Sequence, residues 1–117
     1  MLTAPERNDN RACELDAFLD TGADVTLIPL EAVSVLRLPL MDERVSVVGV
    51  GGALTIGFPC RIDLQLGDVE LRSIRVVSCT AFSISSKPGQ MIVGRDVLNQ
   101  FCVRFDGKQG RFLFEED

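Results

Sequence analysis

One carboxylate sits where an apolar run should not tolerate it. In "AFLDTGADVTLIP" (Ala17 to Pro29), Asp20 lies between Leu19 and a Thr21-Gly22 pair. A buried charge without a partner is costly, so Asp20 is either a partnered turn residue or a working acid. A plain Asx-type turn, with Asp20 satisfying its own backbone, accounts for the tripeptide equally well. Gly22 lacks Cβ and permits close approach by another chain or a ligand. A guanidinium, Arg95, follows "IVG" and suits a fork-like pair with a carboxylate. The chain contains no histidine, which excludes Ser-His and Cys-His catalysis. Chemistry here has to come from carboxylates, Lys, Arg, hydroxyls or thiols.

The four cysteines (Cys13, Cys60, Cys79 and Cys102) are widely spaced, with no C-x-x-C pair. Without histidine they make a poor zinc set, and they read as free, mostly buried thiols of a reducing compartment. No metal or other cofactor is implied. A net charge of −5, with Lys and Arg scattered singly, argues against a nucleic-acid partner held through phosphates. "MLTAPERNDNR" lacks an apolar stretch suited to a leader, and no run approaches a membrane span. The expectation is a cytoplasmic protein with no membrane partner.

The elements that must position these residues are short β-type segments. "CELDAFLD" leads into the Asp20 stretch and "VTLIP" leaves it. "ERVSVVGV" and "ALTIGF" flank a glycine cluster, followed by "CRIDLQL", "VELRSIRVV", "MIVG", "FCVRFD" and "RFLFEE". In "CRIDLQL", Ile62, Leu64 and Leu66 alternate with Asp63 and Gln65, a half-buried strand pattern. Gly67-Asp68, Lys87-Pro88-Gly89 and Asp106-Gly107 mark turns. Helix is confined to "LEAVSVLR" after Pro29 and "RDVLNQF" after Gly94. Residues 1–117 read as a single all-β domain with one or two short helices, in which residues 1–12 are poorly ordered or form a weak N-terminal strand. A faint internal repeat relates "AFLDTGADV" to "MIVGRDVL" and puts Asp20 and Gly94 at matching places, 94 − 20 = 74 residues apart.

"LDTGAD" after an apolar strand, followed by "VTLIP", resembles the active-site signature of the retropepsin-like aspartic proteases. "IVGRDVL" resembles their second signature, and "VVGVGG" (Val47 to Gly52) is similar to the tip of their flap hairpin. The resemblance spans Leu15 to Phe114 and implies the acid protease barrel, active as a symmetric dimer. Aspartic proteolysis uses two carboxylates that share a proton and hold a water between them. D-T-G occurs once in the chain, so the resemblance implies a homodimer in which Asp20 of each copy meets on a twofold axis.

Carried over residue by residue, the resemblance makes Asp20, Thr21 and Gly22 catalytic, Thr21 bracing the two loops across the dyad and Gly22 receiving substrate backbone. Ala23, Asp24, Val48, Gly49 and Val50 would bind substrate, Val50 as the apolar tip of a closing flap. Asp24 would also pair with Arg95, and Arg95 and Asp96 would be structural support. Ala23 stands where some aspartic proteases carry a hydroxyl, which implies a milder pH optimum than that of a gastric-type enzyme. Phe112, Leu113 and Phe114 are interface material on an edge strand. The implied activity is endopeptidase cleavage of extended polypeptides. The alternative is a non-catalytic dimerisation or peptide-binding module that keeps the fold.

Overall fold

A computed structural model of the chain describes residues 1–5, 11–48, 54–79 and 90–115. The Asp20 stretch is built into one curled sheet of short strands. Its elements in chain order are β1 (Leu2–Thr3), β2 (Ala12–Cys13), β3 (Asp16–Leu19), β4 (Leu27–Pro29), α1 (Leu30–Leu36), β5 (Val45–Val48), β6 (Leu54–Leu66), β7 (Val69–Cys79), β8 (Gln90–Val93), α2 (Arg95–Leu98), β9 (Cys102–Asp106) and β10 (Arg111–Glu115). The strands run in the order β2-β1-β6-β7-β4-β8-β3, with β5 added to β6, and β9 and β10 pair separately. The all-β expectation with two short helices holds.

The two segments expected as "ALTIGF" and "CRIDLQL" are a single strand, β6. Its first part pairs with β5 up to Gly57↔Val45, and from Phe58↔Ser78 onward it pairs with β7. Pro59 lies just past this change of partner. Its carbonyl accepts from Met41 N at 2.9 Å, which ties the loop after α1 to the sheet. The β6–β7 hairpin turns at Gly67-Asp68 as expected, with Gly67 at φ +55, a conformation glycine adopts without steric cost.

Farther along this hairpin the alternation of β7 changes phase, and the pairing steps from Ile62↔Ile74 to Leu64↔Leu71. The extra residue is absorbed at Ser73, at φ 51. Asp63 Oδ1 accepts from Ser73 N at 2.7 Å and Arg61 donates to Ser73 O at 2.6 Å. This bulge keeps Ile62 and Leu64 inside, at 0% and 1% exposure.

Pro29 caps α1, which buries Ala32, Val33 and Leu36. The helix stops at Arg37 in the left-handed region, and Leu38 N reaches back to Val33 O at 3.1 Å. The core under the sheet gathers Leu2, Ile28, Leu36, Ile62, Leu64, Val76, Met91, Val93 and Val97. A smaller cluster of Leu27, Val77 and Cys79 packs with Val25, Val45 and Ile92.

The N-terminal strand is short, yet Leu2 is fully buried and β1 is paired on both sides, to β2 and to β6. Burying a leucine contributes about 1.5–3 kcal/mol, so these few residues stabilise the domain measurably. The turn expected at Lys87-Pro88-Gly89 lies outside the described residues.

Candidate active site

The internal repeat becomes geometry at one end of the sheet, where β8 and β3 are its last two strands. β3 and β8 pair in parallel with Asp16↔Gln90 through Leu19↔Val93 in register. Every pair carries the same offset as the repeat, so the residues that leave the two strands, Asp20 and Gly94, stand side by side. Asp20 N donates to Val93 O at 2.9 Å. The chain then turns through Thr21 and Gly22 and returns as β4, which pairs with the other side of β8 at Leu27↔Ile92. Gly94 is thus enclosed by the loop that carries Asp20.

This enclosure explains why position 94 is glycine. A Cβ there would lie 2.6 Å from Val25 O and 2.9 Å from Ala23 O, both backbone atoms of the loop. The loop's other restraints come from α2. Arg95 N donates to Ala23 O at 2.8 Å. Asp96 accepts twice from Thr26, from its backbone N at 3.0 Å and from its hydroxyl at 2.7 Å. Its Oδ1 also accepts from Val97 N at 2.8 Å. The Thr26 hydroxyl in turn accepts from Gly94 N at 3.1 Å. Thr26 is fully buried, and no buried side-chain polar atom lacks a partner among the described residues. The Asp20 loop is therefore held at both ends by a satisfied polar network, which rigidifies it.

Asp20 itself is exposed. The Asx-type turn is present, with Oδ1 accepting from Gly22 N at 2.9 Å. Among the described residues nothing donates to its other oxygen, Oδ2. One oxygen of the carboxylate is held and the other is open to solvent, which suits a group that meets a water, a substrate or a second carboxylate. Thr21 is exposed, and its hydroxyl makes no hydrogen bond among the described residues. Ala23 is partly buried, its N–H bonded to Asp20 O at 3.1 Å.

Asp24 pairs with Arg95, as expected from the sequence. The contact runs through a single nitrogen of Arg95 rather than as a fork, and Asp24 stands out in solvent at 79% side-chain exposure. Such an exposed pair contributes little to stability. The stronger support comes from Asp96, which binds backbone and side chain at once.

The residue that sequence reasoning missed is Thr26. A signal was available: a lone hydroxyl at the head of the buried "LIP" strand needs a partner, and the nearest acceptor with capacity is the Asp of the second motif. Val48 ends β5, opposite Leu54 of β6. Gly49 and Val50, the expected flap tip, lie outside the described residues. The four cysteines form no disulfide. Cys60 and Cys79 are buried, Cys13 is partly buried and Cys102 is exposed. Burial pushes the Cys60 thiol from its ordinary 9.0 up to about 11.

Comparison with known proteins places this geometry. The model of the family described as "Aspartyl protease" matches residues 7–97, which include the Asp20 loop, β8 and the start of α2. No curated protein matches the chain. Among solved structures, the chain is similar to EIAV protease complexed with the inhibitor HBY-793, at 22% identity and a TM-score of 0.49, over 71% of this chain and 72% of that one.

Proposed function

We propose that this chain, which belongs to the aspartyl protease family, is an endopeptidase whose active site is completed by a second copy of itself. The observation that carries this reading is Asp20: a solvent-facing carboxylate, one oxygen held and one open, on a loop locked by Thr26, Gly94 and Asp96. The chain supplies one such carboxylate. Two Asp20 side chains facing each other across a twofold axis share one proton, since like charges about 3 Å apart do not both ionise.

The ionised carboxylate takes a proton from the water between them, and the water oxygen attacks the peptide carbonyl carbon. The protonated carboxylate gives its proton to the carbonyl oxygen. Collapse of the tetrahedral diol breaks the C–N bond: the nitrogen takes the proton held by the first carboxyl, and a diol hydroxyl returns its proton to the second, which restores the pair. Thr21, with its hydroxyl uncommitted among the described residues, braces the two loops. Gly22, Ala23 and Asp24 receive the backbone of an extended polypeptide. Val48, at the end of β5, and Gly49 and Val50 after it contribute to substrate binding, as the resemblance implies. Phe18, 40% exposed two residues before Asp20, offers an apolar surface to substrate side chains.

The test is cleavage of a peptide library by wild type and Asp20→Asn. Asparagine retains an Oδ1 for the Gly22 N–H, so the loop stays folded while the charge is lost. Cleavage by wild type and none by a folded Asp20→Asn is expected; equal cleavage by both would refute the assignment. A non-catalytic binding module has no observation in its favour, and a folded wild type that binds library peptides without cutting them would establish it instead.

A further inference from the structure

We propose that Asp16 makes the site selective for polypeptides carrying a basic side chain, arginine above all, a few residues from the bond to be cut. This selectivity rests on the Asp20 reading above and deepens it. Leu19, Met91 and Val93 pack into the main core and define one face of β3 and β8. Side chains alternate along a strand, so Asp16 and Phe18 project from the opposite face. Asp20 follows them in the same phase, its N–H continuing the ladder to Val93 O. Four strands share one row on that face: Phe18 is in register with Ile92, Ile92 with Leu27, and Leu27 with Val77. The row is an apolar shelf, covered at Val77 and open at Phe18. One step farther from Asp20, Asp16 stands in register with Gln90. The open end of the shelf is thus flanked along the strand by two carboxylates, Asp20 before it and Asp16 behind it.

Three features assign Asp16 to a substrate. First, its carboxylate is exposed and enters no ion pair or hydrogen bond among the described residues. Second, no cation of the neighbouring elements is available to it. β3 and β8 carry no Lys or Arg, and Arg95, at the start of the adjoining α2, is committed to Asp24. Third, an exposed phenyl ring beside a free carboxylate complements a basic side chain. Lys and Arg lay an apolar stem along such a surface and keep the charged head beyond it. A guanidinium also stacks on an aromatic face while it bonds a carboxylate. Asp16 and Phe18 are about 7 Å apart along one face, a span that one extended Arg covers. Asp16 lies about 13 Å from Asp20 along the strand, the length of about four residues of extended peptide. With the two Asp20 side chains paired on a twofold axis, one Asp16 stands on each side of the cut.

The experiment is cleavage of a peptide library in which each basic residue is compared with a neutral isostere, citrulline for Arg and norleucine for Lys. The enzymes are wild type, Asp16→Asn, Asp16→Glu, and Asp68→Asn at the β6–β7 turn as the control for net charge. Wild type should cleave the best Arg peptide with a kcat/KM about fivefold above that of its citrulline form, the scale of a solvent-exposed ion pair. The ratio should fall below about twofold in Asp16→Asn and persist in Asp16→Glu and Asp68→Asn. In wild type it should also shrink as salt rises from about 0.05 M to about 0.5 M. That measurement needs no variant, and it decides the matter if far-UV circular dichroism shows that Asp16→Asn has not folded.

A wild type that cleaves with no preference for Arg or Lys near the cut would overturn the assignment and leave the protease reading standing. So would a preference that survives in folded Asp16→Asn or is indifferent to salt. A wild type that cleaves no peptide removes the protease reading, and the role of Asp16 with it.

Discussion

Replacing Thr26 by valine removes one hydroxyl and almost no volume, so it isolates the polar lock on the Asp20 loop. The hydroxyl of this fully buried residue donates to Asp96 Oδ1 at 2.7 Å and accepts from Gly94 N at 3.1 Å. Loss of a hydrogen bond to a charged group costs about 1.5–3 kcal/mol, and a buried N–H left without an acceptor costs about 1–3 kcal/mol. Asp96 keeps its bonds from Thr26 N and Val97 N, which limits the damage. The expected total is about 3 kcal/mol, a large share of the roughly 5–15 kcal/mol that holds a domain together.

The chain has no Trp and no Tyr, so urea unfolding is followed by far-UV circular dichroism. Protein concentration is kept fixed, because association would shift the midpoint. With a slope of about 1.5 kcal/mol/M, the midpoint falls by about 2 M. Asp96→Ala should cost less in the Thr26→Val background than alone, by about 1–2 kcal/mol, since both remove the same bond. A Thr26→Val penalty below about 0.5 kcal/mol, or strict additivity with Asp96→Ala, would refute the idea that this network holds the loop.

Gly94→Ala forces a Cβ to 2.6 Å from Val25 O, and the obstacle is backbone. It should cost about 3 kcal/mol and abolish cleavage; an equally stable, active variant in the same assays would show that the loop yields freely. Cys60 makes stability fall at alkaline pH. Its folded thiol titrates at about 11 against an ordinary 9.0, so its contribution is complete below pH 9 and is lost as pH rises through 11. The loss amounts to about 3 kcal/mol, and the difference in urea stability between wild type and Cys60→Ala should narrow by that amount from pH 8 to pH 11. Ala23→Ser adds a hydroxyl beside the proposed carboxylate pair and should move the acidic limb of the pH–rate profile downward; an unmoved limb would remove Ala23 as the cause of a milder optimum.

Much of this protein is legible in order along the chain. The alternation in "CRIDLQL", the turn at Gly67-Asp68 and the helix after Pro29 follow from local chemistry, and each appears in the structure where local chemistry puts it. The repeat offset between Asp20 and Gly94 is also a sequence property, and the register of β3 on β8, seen only in the fold, carries the same offset. What local pattern could not decide is how segments merge and where side chains find partners. "ALTIGF" and "CRIDLQL" form one strand because a strand can change neighbours without ending, and a partner change leaves no mark in a single segment.

The Asp20 loop divides in the same way. The types and order of its residues, Asp20-Thr21-Gly22 and later Arg95-Asp96, carry the resemblance to the aspartic proteases. Only the folded chain reveals that Asp96 outweighs Arg95 as a brace, and that Thr26 joins the two motifs. It alone sets Phe18, Ile92, Leu27 and Val77 in one row beside Asp16. The physical reason is range. Periodicity and turn chemistry act over a few residues and can be read in one dimension. A hydrogen bond between positions 26 and 96, or a row of side chains drawn from four strands, exists only after distant segments have been brought together.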